Sequence, residues 1–204
     1  MGRVSAALYD LALRAPEEAG LRTKRRELLA GARGEVLEIG AGTGLNFALY
    51  PAAVQRVRAL EPDAGMARRA RDKAAAGSTP IEVVGGSAQA LPFPDDSFDT
   101  VVGTLVLCTV PDPAGVLAEV ARVLRAGGRY LFLEHVRDGD ERVARWQDRV
   151  TPLWRHLADG CHPNRATLET LAQSRLRVEE VRRGHFPKAA WIVRPLILGA
   201  ARAE

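Results

Sequence analysis

Apolar residues along this chain fall in short blocks whose period changes. Residues 4–31 carry leucines at helical spacing. Leu8, Leu11 and Leu13 precede a helix start at Pro16-Glu17-Glu18, and Leu21, Leu28 and Leu29 follow. This predicts two helical pieces. The texture then changes. Val36-Leu37-Glu38-Ile39 is a short strand pattern running into a glycine turn. Similar runs at 57–60, 81–84, 98–102 (continued by 104–110) and 129–133 read as further strands. Helical stretches separate them: 64–76, which stops at Gly77, and 113–124. The second is closed by Arg125-Ala126-Gly127-Gly128, which offers glycine where a helix C-cap needs left-handed backbone.

Strands alternating with helices at short spacing imply a parallel sheet covered on both faces. The rhythm breaks after residue 134. Residues 141–158 and 165–174 read as helices, the first carrying Trp146 and Trp154 eight positions apart on one face, where core packing is the expectation. Residues 176–182 and 191–201 read as closing strands, pairing antiparallel across a turn at 184–188. The expected fold class is α/β: a Rossmann-like, doubly wound sheet of about seven mostly parallel strands with an antiparallel closing strand. One domain is expected over 1–204, divided into an N-terminal helical lid (1–33), a half that binds a cofactor (34–135) and substrate-side helices with closing strands (136–204). An ordinary packing helix is the competing view of 4–31.

Composition narrows the class. The chain has 204 residues, 47% hydrophobic and 26% charged, so it can bury a sizeable core and is not disordered. The net charge of +4 rests on arginine, since Lys24, Lys73 and Lys188 are the only lysines. Basic clusters at Arg22/Lys24/Arg25/Arg26, Arg68/Arg69/Arg71 and Arg182/Arg183 lack interleaved aromatic residues, so solvated faces are expected and nucleic acid is not an expected partner. Two cysteines, Cys108 and Cys161, are too few for a disulfide framework or a zinc site. Reduced thiols in a cytoplasmic protein are the simple expectation, with Cys108 a small core hydrophobe. The start shows no signal peptide, and Ala6 breaks the myristoylation pattern. No apolar run reaches the roughly 18 residues of a membrane span.

The sharpest chemical signal is Val36-Leu37-Glu38-Ile39-Gly40-Ala41-Gly42-Thr43-Gly44. Alternate glycines let backbone turn and approach a ligand, and a helix expected to follow would offer free N–H groups. The dinucleotide fingerprint G-x-G-x-x-G wants glycine at position 45, where this chain has Leu45. The G-x-G-x-G form favours S-adenosylmethionine over a pyrophosphate cofactor. Some twenty residues on, Glu61-Pro62-Asp63 ends the next strand, and a carboxylate there can grip both ribose hydroxyls.

With Met66, Leu91-Pro92-Phe93-Pro94-Asp95-Asp96-Ser97-Phe98-Asp99 and Glu119-Val120-Ala121-Arg122-Val123-Leu124-Arg125-Ala126-Gly127-Gly128, these segments make residues 34–135 resemble a class I S-adenosylmethionine-dependent methyltransferase of the ubiquinone-methyltransferase-like type. The resemblance implies that Glu38 and the glycines meet the methionine end of the cofactor, Glu61 the ribose, and Ser87-Ala88 the adenine. Thr104-Leu105 would lie near the methionine amino group. The implied cofactor set is Glu38, Gly40, Ala41, Gly42, Gly44, Asn46, Glu61, Pro62, Ser87, Ala88, Thr104 and Leu105. Many relatives carry an acid where this chain has Ser87, so charge is missing at the adenine. A narrower resemblance to the alkyl-thiol methyltransferase-like group rests on Thr104-Leu105-Val106-Leu107-Cys108-Thr109-Val110, Glu134-His135-Val136, Trp154, Asp159-Gly160-Cys161, Arg165 and Val193-Arg194-Pro195. Animal members have an apolar N-terminal anchor that this chain lacks, which implies a soluble variant.

Methyl transfer from a sulfonium requires mainly proximity and alignment, with a base only where the acceptor must lose a proton. His135, just past the fifth strand, and Asp159 are the candidate catalytic residues. A strand-capping histidine is the alternative for His135. Tyr9, Cys161, His162 and Arg165 are the candidate acceptor-side residues. Asp159 and Arg165 are expected to form a partly buried ion pair that locks the turn between two helices. The expected activity is transfer to a small-molecule acceptor, a thiol first. A quinone or natural-product C- or O-methyltransferase, a lipid-headgroup N-methyltransferase and a non-catalytic cofactor-binding protein remain alternatives.

Overall fold

The computed structural model describes residues 6–204, so the first five residues, on which the leader and myristoylation expectations fall, lie outside the described residues. The chain begins with α1 (Ala6–Pro16), a wide turn over Glu17–Leu21, and α2 (Arg22–Leu29). Gly20, at φ +123°, kinks the two helices apart. Seven strands follow, namely β1 (Gly34–Ile39), β2 (Val54–Leu60), β3 (Ile81–Val84), β4 (Phe98–Thr104), β5 (Leu124–His135), β6 (Leu176–His185) and β7 (Pro195–Ala203). Helices α3 (Ala64–Ala75), α4 (Pro113–Val123), α5 (Glu141–Leu157) and α6 (Thr167–Ala172) connect them.

The strands form one sheet in the order β3-β2-β1-β4-β5-β7-β6. β1 to β5 pair in parallel, and β7 lies antiparallel to both β5 and β6. The order reverses at the β1–β4 boundary, so the connections leaving these strands diverge to opposite sides and open a crevice at their carboxyl ends. The period-two pattern sets the layers. Leu37, Val101, Tyr130 and Phe132 face one side and pack with α4 residues Val116, Leu117 and Val120. Val36, Val57, Leu131 and Leu133 face the other and pack with Leu21, Leu28 and Leu29.

Three expectations change. The glycine at 127 does not cap α4. Leu124 is already extended and pairs with Phe98 as β5 begins, and the Arg122 and Val123 carbonyls accept from the Asp96 and Ser97 N–H groups instead. The helix expected at 165–174 shortens to α6. Trp146 is not core. It is 49% exposed, lies edge-on to Trp191 at 6.4 Å and carries the Arg149 guanidinium over its ring.

The closing hairpin depends on Gly199. A Cβ there would stand 2.1 Å from the Glu180 carbonyl oxygen and 2.9 Å from the Phe132 ring, beside the β6 bulge at Val178/Glu180. Gly199→Ala is therefore expected to destabilise by about 1–3 kcal/mol as backbone and core shift, read as a lower urea midpoint. An unchanged midpoint would show that the bulge can move without cost.

Candidate functional site

The crevice is built on the turn after β1. Gly40, Gly42 and Gly44 all adopt left-handed backbone, at φ +59°, +58° and +79°. At Gly40 a Cβ would also meet Val106 Cγ2 at 2.7 Å, so only glycine fits. The helix expected after this turn is absent. Only a three-residue 3-10 turn, Phe47–Leu49, forms before Tyr50 and Pro51 carry the chain away. Glu38 draws this segment back, accepting from Asn46 Nδ2 at 2.9 Å and from the Tyr50 hydroxyl at 2.6 Å. The donors facing the crevice are thus side chains rather than a helix end.

The chief donor is one that sequence reasoning placed on a solvated face. Arg25 is only 3% exposed. Its Nε donates to Glu17 at 2.8 Å, and Nη1 donates to Asn46 Oδ1 at 3.1 Å and Thr104 Oγ1 at 2.9 Å. Tyr9, Arg25, Glu38, Asn46 and Thr104 line one cavity with the glycine turn. A helical-face count places Arg25 with Leu21, Leu28 and Leu29 on the buried side of α2, which was the available signal. Asp10 of α1 accepts from the Thr43 hydroxyl and from Arg69 at 3.0 Å, holding α1 against the turn and α3.

Glu61 caps the next strand. Oε2 accepts from the Gly42 N–H at 2.7 Å and Oε1 from the Asp63 N–H at 2.9 Å. Each oxygen keeps a second lone pair for a ligand. Burial raises its pKa despite these bonds. Pro62 is exposed beside it, and Ala41 is buried. Ala88 is buried, whereas Ser87 is exposed and its hydroxyl accepts from the Gln89 N–H in a local turn. Leu105 adopts φ +62°, a strained position for leucine, and donates its N–H to Leu133 at 2.7 Å.

Beyond the crevice lies a second cluster. Glu134 is fully buried and accepts from the Val106, Leu107 and Cys108 N–H groups. The tight turn this holds delivers Cys108 to His135 and Cys161. His135 Nδ1 lies 3.7 Å from Cys161 Sγ. The Cys161 thiol is held well below the usual thiol range by the Cys108 S–H and by His135, and Cys108 is pushed up in turn. His162 donates its N–H to the Cys108 carbonyl at 2.7 Å, packing the 158–162 loop on this turn. Cys108 is thus buried, as expected, but in a polar cluster rather than among hydrophobes alone.

The expected Asp159–Arg165 ion pair does not form. Arg165 Nη2 donates to the Val110 carbonyl at 2.7 Å, and Asp159 Oδ1 is buried without a protein partner. Asp159 sits at φ +49° and lies within electrostatic range of Glu61.

Comparisons with known proteins point to one family. Residues 37–132 match the family model described as Methyltransferase domain. Human thiol S-methyltransferase TMT1B is 37% identical over 195 residues, covering 89% of this chain and 79% of that protein. The chain belongs to the class I S-adenosylmethionine-dependent methyltransferases. Phosphatidylethanolamine N-methyltransferase of Cereibacter sphaeroides is 34% identical over 176 residues, 85% of each chain. The YcgJ protein of Bacillus subtilis has the same fold, with a TM-score of 0.68 at 21% identity over 88% of this chain and 96% of that one.

S-adenosylmethionine is the cofactor of this methyltransferase, and the crevice suits it: the left-handed glycine turn, Glu38 and the buried Arg25 guanidinium line one cavity, and Glu61 is bonded to the same turn. No helix among the described residues is long and apolar enough to cross a membrane.

Burial lifts the Glu38 carboxyl from 4.5 to about 7, against the bonds from Tyr50 and Asn46 and the charge of Arg25. The folded state therefore holds this proton more tightly than the unfolded chain. Its contribution to stability is full below about pH 4.5 and is lost as pH rises through about 7, up to about 3 kcal/mol. Urea unfolding of wild type and Glu38→Gln between pH 4 and 8 should show the wild-type advantage shrinking over that window. Parallel profiles would place the proton elsewhere.

Proposed function

We propose that this methyltransferase methylates the sulfur of a small thiol by direct in-line transfer. The observation that carries the reading is the 37% identity with thiol S-methyltransferase TMT1B across 89% of the chain. S-adenosylmethionine supplies an activated methyl group on a sulfonium. The chain's own residues bind and orient. Glu61 would take the ribose hydroxyls, and Ala88 would pack beside the adenine, with Ser87 contributing little because its hydroxyl is used locally. The Arg25 guanidinium, which lines the cavity, would face the methionine carboxylate. Glu38, Asn46 and Thr104 would meet the same end of the cofactor, with Leu105 as its floor.

Tyr9 roofs the turn, its ring 3.9 Å from where a Gly42 Cβ would stand, and α1 excludes water as a lid over residues 34–135. In the same reading the chain works as one methyltransferase domain, with residues 136–204 supplying the acceptor side. His135 Nε2 and Asp159 Oδ1 are both buried without protein partners, so each can hydrogen-bond an acceptor or its proton. Cys161, His162 and Arg165 would shape the pocket rim. Two free cysteines favour a reducing, cytoplasmic setting.

An acceptor screen scored by S-adenosylhomocysteine release tests the reading. Alkyl thiols should turn over faster than ethanolamine headgroups or quinones. Preference for an amine would instead align the protein with the phosphatidylethanolamine relative, and cofactor binding without turnover on any acceptor would make it a binding protein. Glu61→Ala should weaken S-adenosylhomocysteine binding by about 1.5–3 kcal/mol, the worth of hydrogen bonds to a charged group. Calorimetry giving unchanged affinity would remove Glu61 from the ribose.

A further inference from the structure

Cys108, His135 and Cys161 are far apart in sequence, yet one ligand-capable atom from each lies within 4.8 Å of the other two. They come from three separate segments: the turn after β4, the end of β5 and the loop after α5. Both cysteines are free. The cluster is enclosed, with Cys108 1% and Cys161 7% exposed. His135 Nε2 is buried without a protein partner, and the Trp154 indole lies beside Cys161.

One separation in the cluster is that of a coordination sphere. In a tetrahedral zinc site with bonds of about 2.3 Å to sulfur and 2.0–2.1 Å to nitrogen, neighbouring S and N ligands stand about 3.6 Å apart. The His135 Nδ1 to Cys161 Sγ distance is 3.7 Å. Two thiolates and an imidazole are soft and borderline donors that select zinc-like ions over magnesium or calcium. The surroundings are already braced. Glu134 fixes the turn carrying Cys108 through three N–H bonds, and the His162 N–H ties the Cys161 loop to the Cys108 carbonyl. Arg165 lies within electrostatic range of both sulfurs and is itself anchored on the Val110 carbonyl.

We propose that Cys108, His135 and Cys161 bind a thiophilic divalent cation of the zinc class, with its fourth position open to the sulfur of the acceptor. Three protein ligands with an open position is the arrangement of catalytic rather than structural zinc. None of the three ligands lines the cavity, but Cys108 follows its residue Thr104 by four positions and lies within electrostatic range of Tyr9 at its edge. A thiol entering the open position loses its proton to solvent on coordination and is held as the thiolate. The open-position half of the proposal rests on the thiol reading above, whereas the cation site does not. Two cysteines in the sequence did not suggest such a site because the third ligand is a histidine and the fourth is not protein.

The test uses the full chain, reduced and stripped with a chelator. Titrated cobalt(II) should saturate at about one equivalent with a sulfur-to-cobalt charge-transfer band, and zinc should displace it. Cys108→Ser, Cys161→Ser and His135→Ala should each weaken cobalt binding by more than about 100-fold, beyond a typical outer-sphere loss. Calorimetric binding of S-adenosylhomocysteine verifies that each variant is folded. A wild-type chain that acquires no such band, or folded variants that bind cobalt as it does, overturns the site. Ethanethiol should then shift the cobalt d–d bands, and an unmoved spectrum overturns the open position. Should cobalt bind and ethanethiol shift it while no thiol yields S-adenosylhomocysteine, the cation site stands and the thiol-acceptor reading fails.

Discussion

The buried guanidinium of Arg25 ties the molecule together at its working end. Burying a charge without partners is strongly unfavourable, so this one dictates where its acceptors must be. Glu17 comes from the turn between the first two helices, Asn46 from the segment after the glycine turn and Thr104 from the end of β4. A single side chain thereby fixes the first two helices, the segment after the glycine turn and the topological switch point relative to one another. Removing one partner would leave the others holding a buried charge or an empty donor, which makes the arrangement cooperative.

Two buried carboxylates divide the labour on either side of that point. Glu38 follows Val36 on the face packed by α1 and α2, and Glu134 follows Tyr130 and Phe132 on the face packed by α4. Burial drives both toward a pKa of about 7. Glu38 collects side-chain donors and shapes the cofactor crevice. Glu134 collects backbone donors and shapes the turn that carries Cys108. The same physical device, a desolvated acid satisfied by convergent donors, therefore organises the cofactor side and the sulfur-rich side.

Backbone strain concentrates between them. Gly40, Gly42 and Gly44 carry left-handed backbone at no steric cost, but Leu105 carries it against its own side chain. Leu105 is held by its N–H bond to Leu133 and by neighbours on both sides that Glu134 and Thr104 anchor. Strain of this kind persists where the surroundings over-determine the chain, and here it sits where β4 leaves the sheet, next to Thr104 of the cavity.

The sequence alone determined what depends on local period and local chemistry. Alternating apolar runs placed the strands, including β3 to the residue. The G-x-G-x-G spacing with Leu45 favoured S-adenosylmethionine over a dinucleotide, and the interval from it placed Glu61 just past β2, where it bonds the glycine turn. Where several segments must meet, only the tertiary structure decided. Arg25 reads as one more exposed arginine until α2 packs its face on the sheet. Pro51, seven residues past Gly44, limits the chain to a 3-10 turn once Glu38 pulls Asn46 and Tyr50 inward. Asp159 and Arg165 look like a pair in sequence, but Arg165 bonds the Val110 carbonyl and leaves Asp159 Oδ1 without a protein partner. Cys108, His135 and Cys161 converge only because β4 and β5 are sheet neighbours and the 158–162 loop folds over their ends. Contacts between distant segments are set by how layers stack, and no short-range pattern encodes that stacking.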